Sequence, residues 1–417
     1  MKTLMVAWLL LVAVAASGVL ADETDWTKIE ELRKKLLENY DRNALPQRDV
    51  NGTTTVHISI FPSGMWIEEE KQIFTLNAWM ELVWHDPRLT WDYKDYGNLK
   101  RMHMGSDDVW LPEIYLYNNA YPTEVEHYGD VNILVKPDGT VAWFPPVTFK
   151  AECPLDITHW PYDTQYCHLF IGTWTHHGWE INIELLSNDT TMNKNMIMKS
   201  THPWQFVGGY LYRYVMYYAC CPEPYIVIHS VIILSRASPN FSYTVVIPAV
   251  VISLLTLLQF VLPLREPRRL LLGCTCLLLT LLVLLYLATA IPPLATSLPI
   301  IVKFYGQTLV VVLVSVGICA TVLRLTDGRH PAATTSPPVA LKTLLTGRLS
   351  TFLFLQRYTE KVGLSGGGEE DGEVLEDARP VTYVHEWLLV AAAVDRIASV
   401  TFVSTFVITF IAHIAQV

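Results

Sequence analysis

The sequence predicts an all-β sandwich with a short N-terminal helix, followed by a bundle of four membrane-crossing helices. Three observations predict it. The 417 residues are 51% hydrophobic and 17% charged, with a mean hydropathy of +0.28, whereas soluble domains carry about a quarter charged residues. The charge is unevenly placed: residues 22–236 hold 17 Lys/Arg against 29 Asp/Glu, and residues 237–417 hold 12 against 11 between long apolar runs. The hydrophobic period also changes between the halves, from short alternating runs to unbroken apolar stretches. An acidic half without a basic patch argues against nucleic acid and suits cationic partners. A single soluble enzyme is excluded on the same grounds.

Residues 1–21 read as a signal peptide: Lys2, an apolar stretch from Leu4 to Val14, then small residues up to Ala21. Export makes Asn51 and Asn188, each in an Asn-X-Thr triplet, usable glycosylation acceptors. Thr27 to Tyr40 has helical spacing, with Ile29, Leu32, Leu36 and Leu37 on one stripe. From Val50 to Arg236 the runs alternate, as in TTTVHISIF and VNILVKP-DGT-VAWF, and Pro137-Asp138-Gly139 marks a hairpin. This is the pattern of an extracellular β-sandwich over 22–236.

Apolar segments follow at 243–264, 270–291, 304–325 and 387–414, each long enough for roughly 30 Å of hydrocarbon. Asp395 and Arg396 place the membrane portion of the last near Ile397. Basic residues gather between the first two and between the last two segments, so both termini lie outside. The resulting divisions are 237–325 for the first three spans, 326–386 for an intracellular linker, and 387–417 for the fourth span with a short extracellular end. Within the linker, 340–358 reads as an amphipathic surface helix and 363–377 as an acidic disordered stretch.

Four of seven cysteines, Cys153, Cys167, Cys220 and Cys221, fall in the exported half and allow three pairings. Spacing favours Cys153–Cys167 with Cys220–Cys221. The neighbouring pair would form a small ring outside ordinary disulfide geometry; two free thiols are the alternative.

Several segments together resemble the Cys-loop pentameric ligand-gated ion channels, in particular nicotinic acetylcholine receptor-like alpha subunits. They are Cys153-Pro-Leu-Asp-Ile-Thr-His-Trp-Pro-Tyr-Asp-Thr-Gln-Tyr-Cys167, Tyr217-Tyr-Ala-Cys220-Cys221-Pro-Glu-Pro-Tyr225, Trp110-Leu-Pro-Glu-Ile-Tyr-Leu-Tyr117 and Gly172-Thr-Trp174-Thr. The resemblance implies a pentamer around a central pore, gated by a small cationic ligand and passing inorganic ions through the plasma membrane; the alternative is an orphan channel with a different ligand or anion selectivity, or a non-conducting binding or accessory subunit. A quaternary ammonium has no N–H to donate, so electron-rich ring faces hold it, at about 0.5–2 kcal/mol per ring. The resemblance places Tyr117, Trp174, Tyr218 and Tyr225, beside Cys220 and Cys221, on one subunit's face of such a cage. It places Trp79 and Phe144 on the complementary face of the neighbour. Because one chain carries both faces, a homopentamer is possible, as is a heteropentamer with related subunits.

In the second span Leu271, Thr275, Leu278, Leu282, Leu285 and Thr289 recur in steps of four and three, one helical face. The resemblance turns this face to the pore, with Leu278 at a central ring that gates by dewetting. The inner end departs from the family. Arg265-Glu266-Pro267-Arg268-Arg269 puts Arg268 where cation-selective relatives carry glutamate. A ring of Arg268 and Arg269 favours anions, and Glu266 is the opposing charge.

For coupling, the resemblance sets Trp160, Pro161, Tyr162 and Asp163 on the Pro292–Pro299 linker and pairs Arg236 with Glu69. His103, His127, His176 and His177 form no metal-ligand spacing, and no catalytic motif appears, so neither a metal, a cofactor nor an enzymatic activity is expected.

Overall fold

A computed structural model describes residues 26–46, 52–121, 130–187, 190–192, 203–237, 239–295, 297–327, 335–366 and 383–414. Residues 1–21, Asn51, His127 and Asn188, and with them the signal-peptide and glycosylation expectations, lie outside the described residues. The chain forms two compact units, one of Met1–Pro154 with Thr164–Ser235, the other of Leu155–Asp163 with Arg236–Val417.

The first unit opens with α1 (Trp26–Leu37), shorter than the periodic stretch by three residues at its end, with Leu32 fully buried. Just after it, the Tyr40 hydroxyl donates to Asp86 Oδ2 (2.7 Å) and accepts from the Trp110 amide (3.0 Å). Arg88 clasps both oxygens of the fully buried Asp86 (2.9 and 2.7 Å) and lies 4.2 Å from the Tyr40 ring centre. A buried carboxylate is tolerable only with such partners.

Eleven strands follow among the described residues. β1 (Thr54–Glu68), β2 (Ile73–Thr90), β3 (Met102–Met104), β5 (Ile133–Val135), β6 (Asp138–Trp143), β7 (Pro146–Glu152) and β9 (Ile181–Leu185) make one sheet, ordered β3-β5-β6-β2-β1-β9 with β7 also on β2. β4 (Tyr115–Leu116), β8 (Thr164–Gly172), β10 (Trp204–Tyr217) and β11 (Pro224–Arg236) make the second, ordered β10-β11-β8-β4. Alternation is regular: on β8, Cys167, Leu169 and Ile171 are buried while Tyr166 and His168 face outward. Core residues such as Phe74, Leu76, Phe149 and Ile228 are fully buried, each contributing roughly 1.5–3 kcal/mol. The β5–β6 hairpin turns at Gly139 (φ +82°), where an added Cβ would lie 2.7 Å from the Asp86 carbonyl oxygen. A disulfide joins Cys153 to Cys167, and another joins Cys220 to Cys221.

In the second unit a π-helical turn (Ser242–Val246) leads into α2 (Ile247–Leu258), followed by α3 (Arg268–Ala290) and α4 (Ile300–Thr326). Three short helices, α5 (Val339–Thr346), α6 (Arg348–Phe352) and α7 (Gln356–Gly366), precede the 31-residue α8 (Val384–Ile414). Helices α3, α4 and α8 are long and apolar enough to cross a membrane.

Two expectations change. The first apolar helix, Ser242–Leu258, stops before residue 264: Pro263 has no N–H for the Gln259 carbonyl, which accepts instead from Arg269 Nε (2.8 Å). The amphipathic stretch 340–358 is broken into short helices at Gly347 and at Phe354, whose φ is +55°. The N-terminal turns of α8 are not lipid-facing: Leu388 to Ala393 are buried with Leu345, Leu353, Leu355 and Val362.

Candidate functional site

Three sets of residues are built by these elements: an aromatic cluster in the first unit, and a loop junction and an exposed helix face in the second. The cluster starts from Tyr117, one residue past β4, whose amide donates to the Phe170 carbonyl on β8 (2.7 Å). Its hydroxyl donates to the Thr173 carbonyl (2.5 Å). This approach requires Gly172, since a Cβ there would stand 2.6 Å from the Tyr117 hydroxyl. Trp174, just past β8, meets Tyr117 edge-on at 5.9 Å between centroids and Tyr115 at 6.4 Å. Glu113 Oε2 accepts from both the amide (3.0 Å) and the hydroxyl (2.5 Å) of Thr175, holding the Trp174 loop. Trp174 is 63% exposed, an unusual state for a tryptophan flanked by other rings.

Tyr218 and Tyr225 flank the Cys220–Cys221 disulfide, between β10 and β11, with ring centroids 5.5 Å apart at 74°. Burial pushes the Tyr117 phenol well above its ordinary value, and the phenols of Tyr218 and Tyr225 and the Glu113 carboxylate push it the same way. Tyr117 is therefore a neutral donor throughout the physiological range. The structure brings Tyr117 and Trp174 together, and Tyr218 and Tyr225 together. Tyr115, Glu113 and Gly172 are participants that composition and spacing did not single out. Trp84 and Trp110, by contrast, are core: they are 2% and 5% exposed and pack edge-on at 5.8 Å.

Trp79 and Phe144 lie elsewhere, on the seven-stranded sheet. Trp79 projects from β2 between buried Ala78 and Met80, opposite Pro146 in register, and Phe144 precedes that proline by two residues. Both are about half exposed, at 49% and 47%.

In the second unit, Leu155–Asp163 is fastened to the helices at several points. The Ile157 amide donates to Ser297 Oγ (3.0 Å), which donates to Asp156 Oδ1 (2.7 Å), and the Ile300 amide donates to the Thr158 carbonyl (3.0 Å). The hydroxyls of Thr158 and Ser297 and the Thr158 amide hold the Asp156 carboxyl well below the usual carboxylate range, at about 2. Tyr162 shares a hydrogen bond with Ser242 (2.6 Å), and Trp160 packs on Phe241 at 4.6 Å. Arg236 binds Asp163 with Nε on Oδ1 (2.7 Å) and Nη2 on Oδ2 (3.2 Å), both side chains buried. Asp163 is thus a partner of Arg236 that the expected Glu69 pairing did not name.

On α3, Leu271, Thr275, Leu278, Leu282, Leu285 and Thr289 are all exposed, while Arg269, Gly273, Cys276, Thr280 and Leu287 form the buried face. The two arginines at its start diverge. Arg268 is 85% exposed and 3.5 Å from Glu266. Arg269 is fully buried and paired with Asp395 on α8. The expectation that both arginines charge the helix end is corrected: Arg269 is turned inward, where the Asp395 carboxylate offsets its charge. Among the described residues no three metal-ligating side chains converge.

Comparison with known proteins supplies the frame for these parts. Residues 29–238 match the sequence model of the neurotransmitter-gated ion-channel ligand binding domain, and residues 245–370 that of the neurotransmitter-gated ion-channel transmembrane region. The chain is 30% identical to the neuronal acetylcholine receptor subunit alpha-6 of Mus musculus over 357 residues, which span 85% of this chain and 71% of that protein. It is 31% identical to subunit alpha-10 of Rattus norvegicus over 339 residues, 80% of this chain and 74% of that one. With a β-sandwich carrying an exposed aromatic cluster and three long apolar helices, the chain belongs to the neurotransmitter-gated ion channel family, as a subunit of its nicotinic receptor branch.

Proposed function

We propose that copies of this chain, alone or with related subunits, assemble as a pentamer in the plasma membrane and open a pore when a quaternary ammonium ligand enters the aromatic cage. The observation that carries this reading is the solvent-facing Trp174 ring beside Tyr117 in an acidic domain. Ring faces attract a cation that donates no hydrogen bond, and desolvation on loop closure strengthens that attraction. Tyr218 and Tyr225 close the cage from the Cys220–Cys221 loop. Trp79 and Phe144 of a neighbouring copy complete it, which accounts for their exposure on the other sheet.

Gating is then a population shift between two pore states, biased by the closed cage. The segment 155–163, hydrogen-bonded to Ser297 and Ile300 beside the pore helix, is the element through which closure acts on the spans. Leu278 forms the constriction, and both chain termini are outside.

A second reading, anion conduction, is favoured by the exposed Arg268 at the inner end of α3. Recording current from cells expressing this chain, with acetylcholine applied and permeant ions replaced in turn, tests both. An acetylcholine-evoked current supports the channel; its reversal potential tracking sodium or chloride selects the ion. A surface-expressed protein that neither binds acetylcholine nor conducts overturns the proposal.

A further inference from the structure

Away from the aromatic cage, the outward face of the four-stranded sheet holds a histidine pair. β8 and β11 run antiparallel with His229 opposite Phe170 and Val231 opposite His168, so the two histidines are diagonal neighbours on one face. Nδ1 of His168 lies 2.9 Å from Nε2 of His229, with ring centroids 5.1 Å apart and a 32° tilt. The strands beneath are rigid: Cys167, Leu169, Ile228 and Ser230 are buried, and Cys167 is tied to Cys153. Phe170 stacks on His229 at 4.5 Å, with Tyr214 at 5.6 Å and Tyr212 at 6.4 Å, walling the pair on the sheet surface.

Two imidazole nitrogens this close need a proton or another electron-pair acceptor between them. With metal–nitrogen distances of about 2.0–2.1 Å, a tetrahedral ion holds two ligand nitrogens roughly 3.3 Å apart. A few tenths of an ångström of side-chain rotation converts the present contact into that bite.

We propose that His168 and His229 form a two-histidine site for a borderline divalent transition metal, Zn2+ or Cu2+, cross-linking β8 and β11. Each imidazole binds in its neutral form, with the proton on the nitrogen facing away. No third His, Cys, Asp or Glu joins them among the described residues, so water completes the shell and affinity is modulatory, in the micromolar range, rather than structural. Resting on the proposed function, the site has a consequence for gating: β8 leads to Trp174 and β11 begins beside Tyr225, so the cross-link biases the cage.

The test is equilibrium binding of Zn2+ alone to the full chain in detergent, without agonist, so its outcome is independent of channel activity. The expected result is one saturable micromolar site per chain, weakened at least tenfold by His168→Gln or His229→Gln and unaffected by His176→Gln. Electron paramagnetic resonance of the Cu2+-loaded wild type, which requires no variant, should show two equatorial imidazole nitrogens. Absence of saturable binding, binding that persists unchanged in both variants, or a spectrum without two imidazole nitrogens overturns the site.

Discussion

Arg269 at the base of α3 and Asp395 on α8 form an ion pair sealed inside the membrane-spanning unit, with side-chain exposures of 0% and 4%. Arg269 also donates through Nε to the Gln259 carbonyl at the end of α2 and lies 5.8 Å from the Phe260 ring centre. One guanidinium thereby ties three apolar helices together at one level. A buried charge stripped of its partner costs roughly 3–5 kcal/mol, whereas losing both charges costs far less. Asp395→Ala should lower the melting temperature of the full chain in detergent sharply, and Asp395→Leu with Arg269→Met should recover most of the loss. A double variant as unstable as the single would show that packing, not charge, holds the helices.

At the cage, Trp174→Ala should weaken quaternary ammonium binding by about 1–2 kcal/mol, roughly five- to thirty-fold, with assembly retained. Trp84→Ala acts through the core and should cost about 3–5 kcal/mol of stability with little specific effect on ligand in the protein that folds. Radioligand binding on surface-expressed protein separates the two. Equal losses of affinity per folded molecule would remove Trp174 from the cage.

At the start of α3, Arg268 and Arg269 should respond differently to the same change. In the proposed pore, Arg268→Glu inverts an exposed charge and should move the reversal potential of the evoked current toward the sodium equilibrium value. Arg269→Glu places two carboxylates together in a buried site and should abolish surface expression. An unchanged reversal potential in Arg268→Glu would place that side chain away from the ion path.

The Asp156–Ser297 contact makes a pH prediction with a definite sign. The folded carboxyl titrates near 2, below an unfolded value of about 3.9, so its contribution is complete above about pH 4 and fades as pH falls toward 2. Between pH 8 and 5 the contact should not change. Ser297→Ala removes one donor and should raise the Asp156 value, read as a shift in the acid titration of its carboxyl infrared band, assigned by difference against Asp156→Asn. No shift would mean that Thr158 alone holds the carboxylate.

Much of the fold was legible because its signals are local. The Ile29, Leu32, Leu36 and Leu37 stripe, the Pro137–Gly139 turn and the four-and-three spacing on α3 are decided within a few residues of themselves. The end of α2 had a local cue in Pro263, which cannot donate to the Gln259 carbonyl, but the side chain that satisfies that carbonyl, Arg269, lies ten residues on. Nor was the state of Arg269 itself, whose counter-charge is 126 residues away, although an aspartate inside an apolar stretch is itself a cue to such a partner. The cage tyrosines and Trp174 came from resemblance, because isolated aromatics do not distinguish core from surface. The supporting roles of Gly172 and Glu113 emerge only when β4 and β8 are side by side.

The division of the chain into units has a consequence for building hybrid receptors. Leu155 to Asp163 interrupts the sandwich in sequence yet groups with the membrane helices, with Leu155, Ile157 and Trp160 buried. A single crossover at residue 236 therefore separates this segment from the Ser297, Ile300 and Ser242 that it was matched to. Chimaeras with a relative should exchange three pieces rather than two, carrying residues 155–163 along with the spans. A sandwich produced without its helices should replace Ile157 and Trp160 by polar residues, or it will present them to its neighbours in solution.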